Sequence, residues 1–219
     1  MEKAVFVIAR ISKDPYIRQA EMIEQAQALF FRKGYQATTV QDIVQAVGVA
    51  HGTFYYHFAS KEVLLEAIVV QKIDQQIAQA QESEEVSLLL RLKNFIRLFY
   101  QICYKSEIAR LADILYAENQ GELINRIWRQ TNARMEPVLL PLLEACNDAG
   151  ITSIENMSET LWFLRGILAT LLETSTPDGY AHETNEDRLK IKRKIAARLI
   201  DHLLGLPDGT MDLSPEKSC

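Results

Sequence analysis

Two short helical patterns joined at one glycine constrain this chain more than any other feature. Residues 39–61 read TVQDIVQAVGVAHGTFYYHFASK. Thr39 with Asp42 three positions later is a capping-box-like helix start. Ile43, Val44 and Val47 give that helix an apolar face at helical spacing before Gly48 closes it. A second helix is expected from Ala50 to His57. Ser60 then caps a further one, which begins at Lys61 and runs to about Gln81.

The flanking sequence is helical too. Asp14-Pro15 pairs an N-cap residue with a proline at the first helical position, where its missing N–H is no loss. Ile23, Ala26, Leu29 and Phe30 follow at helical spacing, and Gly34 ends that helix as a left-handed C-terminal residue. Beyond residue 81, helices are expected over 86–105, 106–118 and about 122–149. Pro137 and Pro141 should kink or divide the last of these. Asn156 and Glu159 form another capping pair ahead of Leu161, Trp162, Leu164 and Leu168. Residues 176–183 read as a loop, and a final helix runs from about 184 to 204. No strand pattern appears, so the expected fold is all-α.

That reading divides the chain into an N-terminal arm (1–14), a three-helix helix-turn-helix domain (15–62), a larger helical ligand-binding and dimerisation domain (63–207) and a polar, flexible tail (208–219). Helix four joins the two domains.

The residue types in the third helix set it apart. Glycine inside a helix costs about 1 kcal/mol relative to alanine, so Gly52 needs a use. Close approach to a base edge or a backbone supplies one. Thr53, Tyr55 and His57 offer hydroxyl and imidazole donors, the groups that position a protein on phosphate oxygens. Three polar aromatic side chains in one turn, Tyr55-Tyr56-His57, would be an odd choice for a bundle core. The pattern points to a helix pressed into a groove of double-stranded DNA.

Composition limits the rivals. The net charge of −5 resolves into a balance of +1 over residues 1–62 and −6 over the remainder. A mildly basic head on an acidic body fits local phosphate contact with little non-specific adhesion. Cys103, Cys146 and Cys219 are an odd, widely spaced set without a CxxC pair, which argues against a disulfide framework or a zinc site. Cys103 and Cys146 read as small core residues. His51 and His57, six apart, do not share a helix face as metal ligands would, so neither metal nor cofactor is expected. No Ser–His–Asp arrangement or phosphate loop supports an enzyme. Residues 5–9 are too short an apolar run for a signal peptide, and no long apolar run of the kind a membrane span needs is present. Cytoplasmic residence is expected.

The segment FFRKGYQATTVQDIVQAVGVAHGTFYYHFASKEVLLEAI resembles the N-terminal module of the TetR-type (tetracycline-repressor-like) transcriptional regulators. It is similar in its glycine–aromatic pair, paired hydroxyl residues, glycine–valine turn and threonine–aromatic–tyrosine run. The likeness covers about residues 15–70. Ala50 stands where that family commonly has serine, and His51 where lysine or another polar residue is common, which leaves base preference open. The resemblance implies that Thr39 binds a phosphate through its hydroxyl or backbone N–H. Gln41 would reach toward a base or phosphate. His51, Gly52 and Thr53 would lead the recognition helix into the major groove. Tyr55, Tyr56 and His57 would meet DNA, with Tyr55 and His57 on phosphates and Lys61 on another at the start of helix four. Phe54 and Phe58 would be core.

The resemblance further implies a homodimer on a palindromic operator and a small, mainly apolar effector that releases it, hence a repressor. The last two long helices would form the dimer contact, through Leu161, Leu164, Ile167, Leu168, Leu171 and Leu172 on one and Ile191, Ile195, Leu199 and Leu203 on the other. The effector pocket would be walled by Phe95, Phe99, Tyr104, Tyr116, Trp128 and Trp162, with Tyr100 and Phe163 as further candidates. Arg110, Asn125, Arg129 and Arg165 could orient a polar end of a ligand.

Overall fold

A computed structural model of the 219-residue chain describes residues 14–81, 87–171, 175–176, 179–180 and 186–214. The anticipated arm falls almost wholly outside these, as do Leu172, Cys219 and the side chains of Cys103 and Tyr104. The described helices are α1 (Pro15–Lys33), α2 (Val40–Val47), α3 (His51–His57), α4 (Lys61–Gln81), α5 (Leu88–Lys105), α6 (Glu107–Ala117), α7 (Gly121–Asp148), α8 (Met157–Thr170) and α9 (Glu186–Leu204). The chain forms two compact units that divide between Leu65 and Glu66, within α4 and three residues beyond the anticipated boundary.

In the first unit, local chemistry sets each turn. The Asp14 carboxylate accepts the Tyr16 N–H at 2.9 Å and opens α1. Gly34 ends it at φ 88° and ψ 164°, so the positive φ anticipated is present but the residue is extended, not left-handed helical. Gly48 is left-handed, at φ 73° and ψ 39°, and turns α2 into α3. α1 packs on α2 and α2 on α3, around Met22, Phe30, Ile43, Phe54, Phe58 and Leu64, all buried. Phe54 and Phe58 are therefore core, as expected, with rings 5.9 Å apart.

In the second unit α5 packs against both α6 and α7, α6 against α7, and α8 against α9. Ser106 caps α6 by accepting from Ile108 and Ala109. Pro137 and Pro141 do not divide α7, which stays one 28-residue helix. Each proline ring removes one helical donor. Burial of Met135, Leu139, Leu142 and Leu143 around the two prolines holds the run together by packing. Cys146 is buried, and burial raises its thiol pKa.

Two expectations need correction. Residues 175–176 pair antiparallel with 179–180, Ser175 opposite Tyr180 and Thr176 opposite Gly179, so a two-residue ladder lies where a plain loop was anticipated. Residues 208–214 are no frayed tail. Both Asp201 carboxylate oxygens are committed to this segment, Oδ2 accepting the Gly209 N–H at 2.9 Å and Oδ1 the Met211 N–H at 2.8 Å. Asp201, Met211 and Leu213 are buried. Polar composition hid two well-placed apolar anchors.

Candidate nucleic-acid interface

α2 is held by a closed set of polar contacts. The Thr39 hydroxyl accepts the Asp42 N–H at 3.1 Å and donates to Asp42 Oδ2 at 2.6 Å, while the Thr39 N–H donates to the same oxygen at 2.7 Å. Lys33 Nζ reaches that oxygen too, at 2.6 Å. The hydrogen bond from Lys33, then those from Thr39, hold the Asp42 carboxyl far below the usual carboxylate range. Both Thr39 donors anticipated for phosphate are therefore spent inside the capping box.

Lys61 departs further from expectation. Its Nζ donates to the Tyr35 and Thr38 carbonyls, each at 2.8 Å, and lies 4.1 Å from the Tyr35 ring centroid. An ammonium so enclosed stitches α4 to the α1–α2 turn instead of reaching outward. Tyr35 is buried, and its hydroxyl donates to Glu62 at 3.1 Å. Sequence reasoning missed Lys33, Tyr35 and Glu62 as positioning residues. The only signal was a buried aromatic placed between two glycine-bounded helices.

The remaining assigned residues share the outer side of α2 and α3. Gln41, His51 and Gly52 are exposed, and Thr53 and His57 half-buried. Tyr55 is 53% and Tyr56 75% exposed, an unusual state for two adjacent tyrosines on a seven-residue helix. Their rings lean on neighbours: Tyr55 lies 5.3 Å from His51, and Tyr56 4.9 Å edge-on to His57. Tyr55 also meets the buried Phe54 edge-on at 5.3 Å, which ties the outward ring to the core. A Cβ built on Gly52 meets nothing within 4 Å, and its φ is not positive. The fold itself therefore does not require glycine there. Held aromatic donors around a side-chain-free notch can grip phosphates while backbone approaches a base edge.

The anticipated pocket residues are not all brought together. Phe95, Phe99 and Tyr100 are buried in the second unit, and the Phe99 and Trp128 rings lie 6.5 Å apart. Tyr116 and Trp128 are half-buried. Trp162 is 67% exposed, with Phe163 beside it also exposed, so neither walls an interior pocket. The guanidinium of Arg165 sits 5.6 Å from the Trp162 ring centroid and pairs with Glu136 at 2.7 Å. Arg110, Asn125 and Arg129 face outward.

The anticipated dimer residues also split. Leu161, Leu164, Leu168 and Leu171 are buried within their own unit, whereas Ile191, Ile195 and Leu199 of α9 are exposed. Among the described residues no helix is long and apolar enough to cross a membrane, and no group of three His, Cys, Asp or Glu side chains could hold a metal ion.

Residues 22–68 match the family model described as bacterial regulatory proteins, tetR family. The chain is 27% identical over 133 residues to the HTH-type transcriptional repressor KstR2 of Mycobacterium tuberculosis strain H37Rv. That match covers 54% of this chain and 66% of the relative, just short of two-thirds of its length. The crystal structure of the superantigen PfiT is similar at a TM-score of 0.55 and 26% identity, over 72% of this chain and 85% of that one. The complex of RolR with resorcinol is similar in fold at a TM-score of 0.62 and 16% identity, over 89% of this chain and 90% of that one. A capping-box helix, a left-handed Gly48 and an outward-facing aromatic helix thus coincide with the matched module, and residues 22–68 form an N-terminal domain similar to that of the tetR family of bacterial regulatory proteins.

Proposed function

We propose that this chain is a ligand-responsive repressor that binds a palindromic DNA operator as a homodimer and leaves it when a small, mainly apolar effector binds the helical body. One observation carries the reading: Tyr55, Tyr56, His51 and Gly52 are all exposed on one short helix whose Phe54 is buried in the core. Nothing in the unit's own packing calls for that combination. KstR2 is a transcriptional repressor by name, which supports the sign of regulation. A regulator of this kind would act on its operator in the cytoplasm.

The dimer contact rests on α8 and α9. Ile191, Ile195 and Leu199 recur every four residues on α9 and remain exposed, as do Trp162 and Phe163 on α8. Five large apolar side chains in water on two adjoining helices mark an association surface. A two-fold dimer would present its recognition helices to successive major grooves about 34–36 Å apart.

The effector site is assigned to the interior around Phe99 and Trp128, the half-buried end of the aromatic cluster. RolR was crystallised with resorcinol, so a small phenol is a reasonable first probe here. The effector acts only through differential affinity for the DNA-competent and DNA-incompetent states. α4 belongs to both units and is the covalent path between them.

Fluorescence anisotropy on a labelled duplex recovered by in vitro selection tests this, with and without a panel of small phenols and apolar acids. Affinity should fall steeply with salt, as phosphate contact demands, and at least one compound that binds the body should release DNA. A flat salt response contradicts the assigned contacts. An effector that saturates the body without changing DNA affinity contradicts the release mechanism. A protein that used this fold only to meet another protein would be indifferent to changes at Tyr55 and His57.

A further inference from the structure

The second unit holds a cleft of about 550 Å³ between α9 and the C-terminal segment 208–214, far in sequence from the aromatic cluster. Lys190, Lys194 and Arg198 line one side of it, at four-residue intervals on a single face of α9. Like charges at that spacing weaken a helix by a few tenths of a kcal/mol per pair. Among the described residues, none of the three forms an ion pair or side-chain hydrogen bond. A fourth cation, Arg193, is largely buried in the same wall.

The carboxylates that line the cleft, Asp201 on α9 and Asp208 and Asp212 on the C-terminal segment, are mostly hydrogen-bonded to backbone N–H groups. Asp201 spends both oxygens on the Gly209 and Met211 N–H groups. Asp212 accepts the Ser214 N–H at 2.8 Å, and hydrogen bonds from the Ser214 side chain and then its backbone lower the Asp212 pKa, with help from nearby Arg97 and Lys93. Asp208 is left as the one acid lining the cleft without such an engagement among the described residues. Ala197, Met211 and Leu213 add apolar wall. Four cations thus meet three carboxylates around a cavity of ligand size, and the three cations on one face of α9 keep no direct partner among the described residues.

We infer that the cleft between α9 and residues 208–214 is a second binding site, for a small organic molecule carrying two or more anionic groups. Its anionic groups would bridge cations spread over about 12 Å of helix axis, eight residues at about 1.5 Å each, and its body would rest on Met211 and Leu213. Phosphate and carboxylate groups meet the same recognition chemistry here. The site is independent of the apolar effector reading, because it shares no residue with the Phe99–Trp128 cluster.

Calorimetric titration of the full chain with citrate and, separately, with pyrophosphate in 150 mM salt (roughly physiological ionic strength) tests the assignment. At least one should saturate at one site per chain with a Kd below about 1 mM. Whichever binds at least tenfold tighter identifies carboxylate or phosphate as the source, and equal binding of both supports the shared chemistry. Lys194→Ala and Lys192→Ala remove the same charge from α9, but only Lys194 lines the cleft. Lys194→Ala should weaken binding at least fivefold and Lys192→Ala less than twofold. The triple Lys190→Ala, Lys194→Ala, Arg198→Ala chain should not saturate while melting no lower than the parent; if it does not fold, the single variants decide. No saturation with either anion, or equal weakening by both single variants, overturns the site.

Discussion

Lys61 lies over the face of Tyr35, its Nζ 4.1 Å from the ring centroid and 2.8 Å from the Tyr35 carbonyl. This contact ties the start of α4 to the turn between α1 and α2, and it engages donors that were expected on a phosphate. The distinction can be measured. Lys61→Met keeps the aliphatic stem and deletes the charge-assisted donors, so it should lower stability by about 1–3 kcal/mol in denaturant titration. Its slope of log affinity against log salt should stay unchanged. A slope reduced by about one, with stability intact, would return Lys61 to the phosphate backbone.

Gly52 separates folding from binding. A methyl group there meets no neighbour within 4 Å, and alanine favours helix over glycine by up to about 1 kcal/mol. Gly52→Ala should therefore raise or preserve the melting temperature while weakening DNA affinity at least tenfold. A loss of stability would mean that glycine serves the fold.

Gly205 is the opposite case. It closes α9 at φ 65°, and an added Cβ would fall 1.8 Å from Ser153 Oγ. Gly205→Ala should destabilise the chain by about 2 kcal/mol or more through backbone strain and displacement of Ser153. Asp201→Ala should cost about 3 kcal/mol, since two backbone donors lose a charged acceptor. Limited proteolysis should then cut residues 206–214 in the Asp201 variant and spare them in the parent.

The Asp42 carboxyl is depressed in the folded chain by Lys33 and Thr39. A depressed acid adds stability above its unfolded value, about pH 3.9, and that contribution is lost as pH falls toward the folded value. Acid unfolding of Asp42→Asn should thus be shallower than that of the parent below about pH 4. The two chains should differ in melting temperature at pH 7 and converge at lower pH. A difference that stays constant across that range would contradict the linkage.

Short-range signals carried most of the fold. Asp14, Thr39, Ser60 and Asn156 each cap the helix that their spacing indicates, because a cap is decided by three or four consecutive residues. What was not legible depended on partners distant in sequence. Thr39 and Lys61 carry donors suited to phosphate, and only the folded unit shows those donors turned onto Asp42, Tyr35 and Thr38. α8 is apolar on several faces, so periodicity cannot say that Leu161 and Leu164 point inward while Trp162 and Phe163 point out. Residues 208–214 look like solvent-loving tail until Asp201, on the preceding helix, gathers their N–H groups.

The central claim is that the outer face of α3 holds DNA, and one comparison tests it most directly. Anisotropy titrations on the selected duplex would set the parent beside Tyr55→Phe and His57→Ala, with thermal melts of each. Each substitution should weaken DNA binding by about 10-fold or more, the loss of a hydrogen bond to a charged phosphate, with melting temperatures within a few degrees of the parent. Parental affinity in both variants would contradict the account.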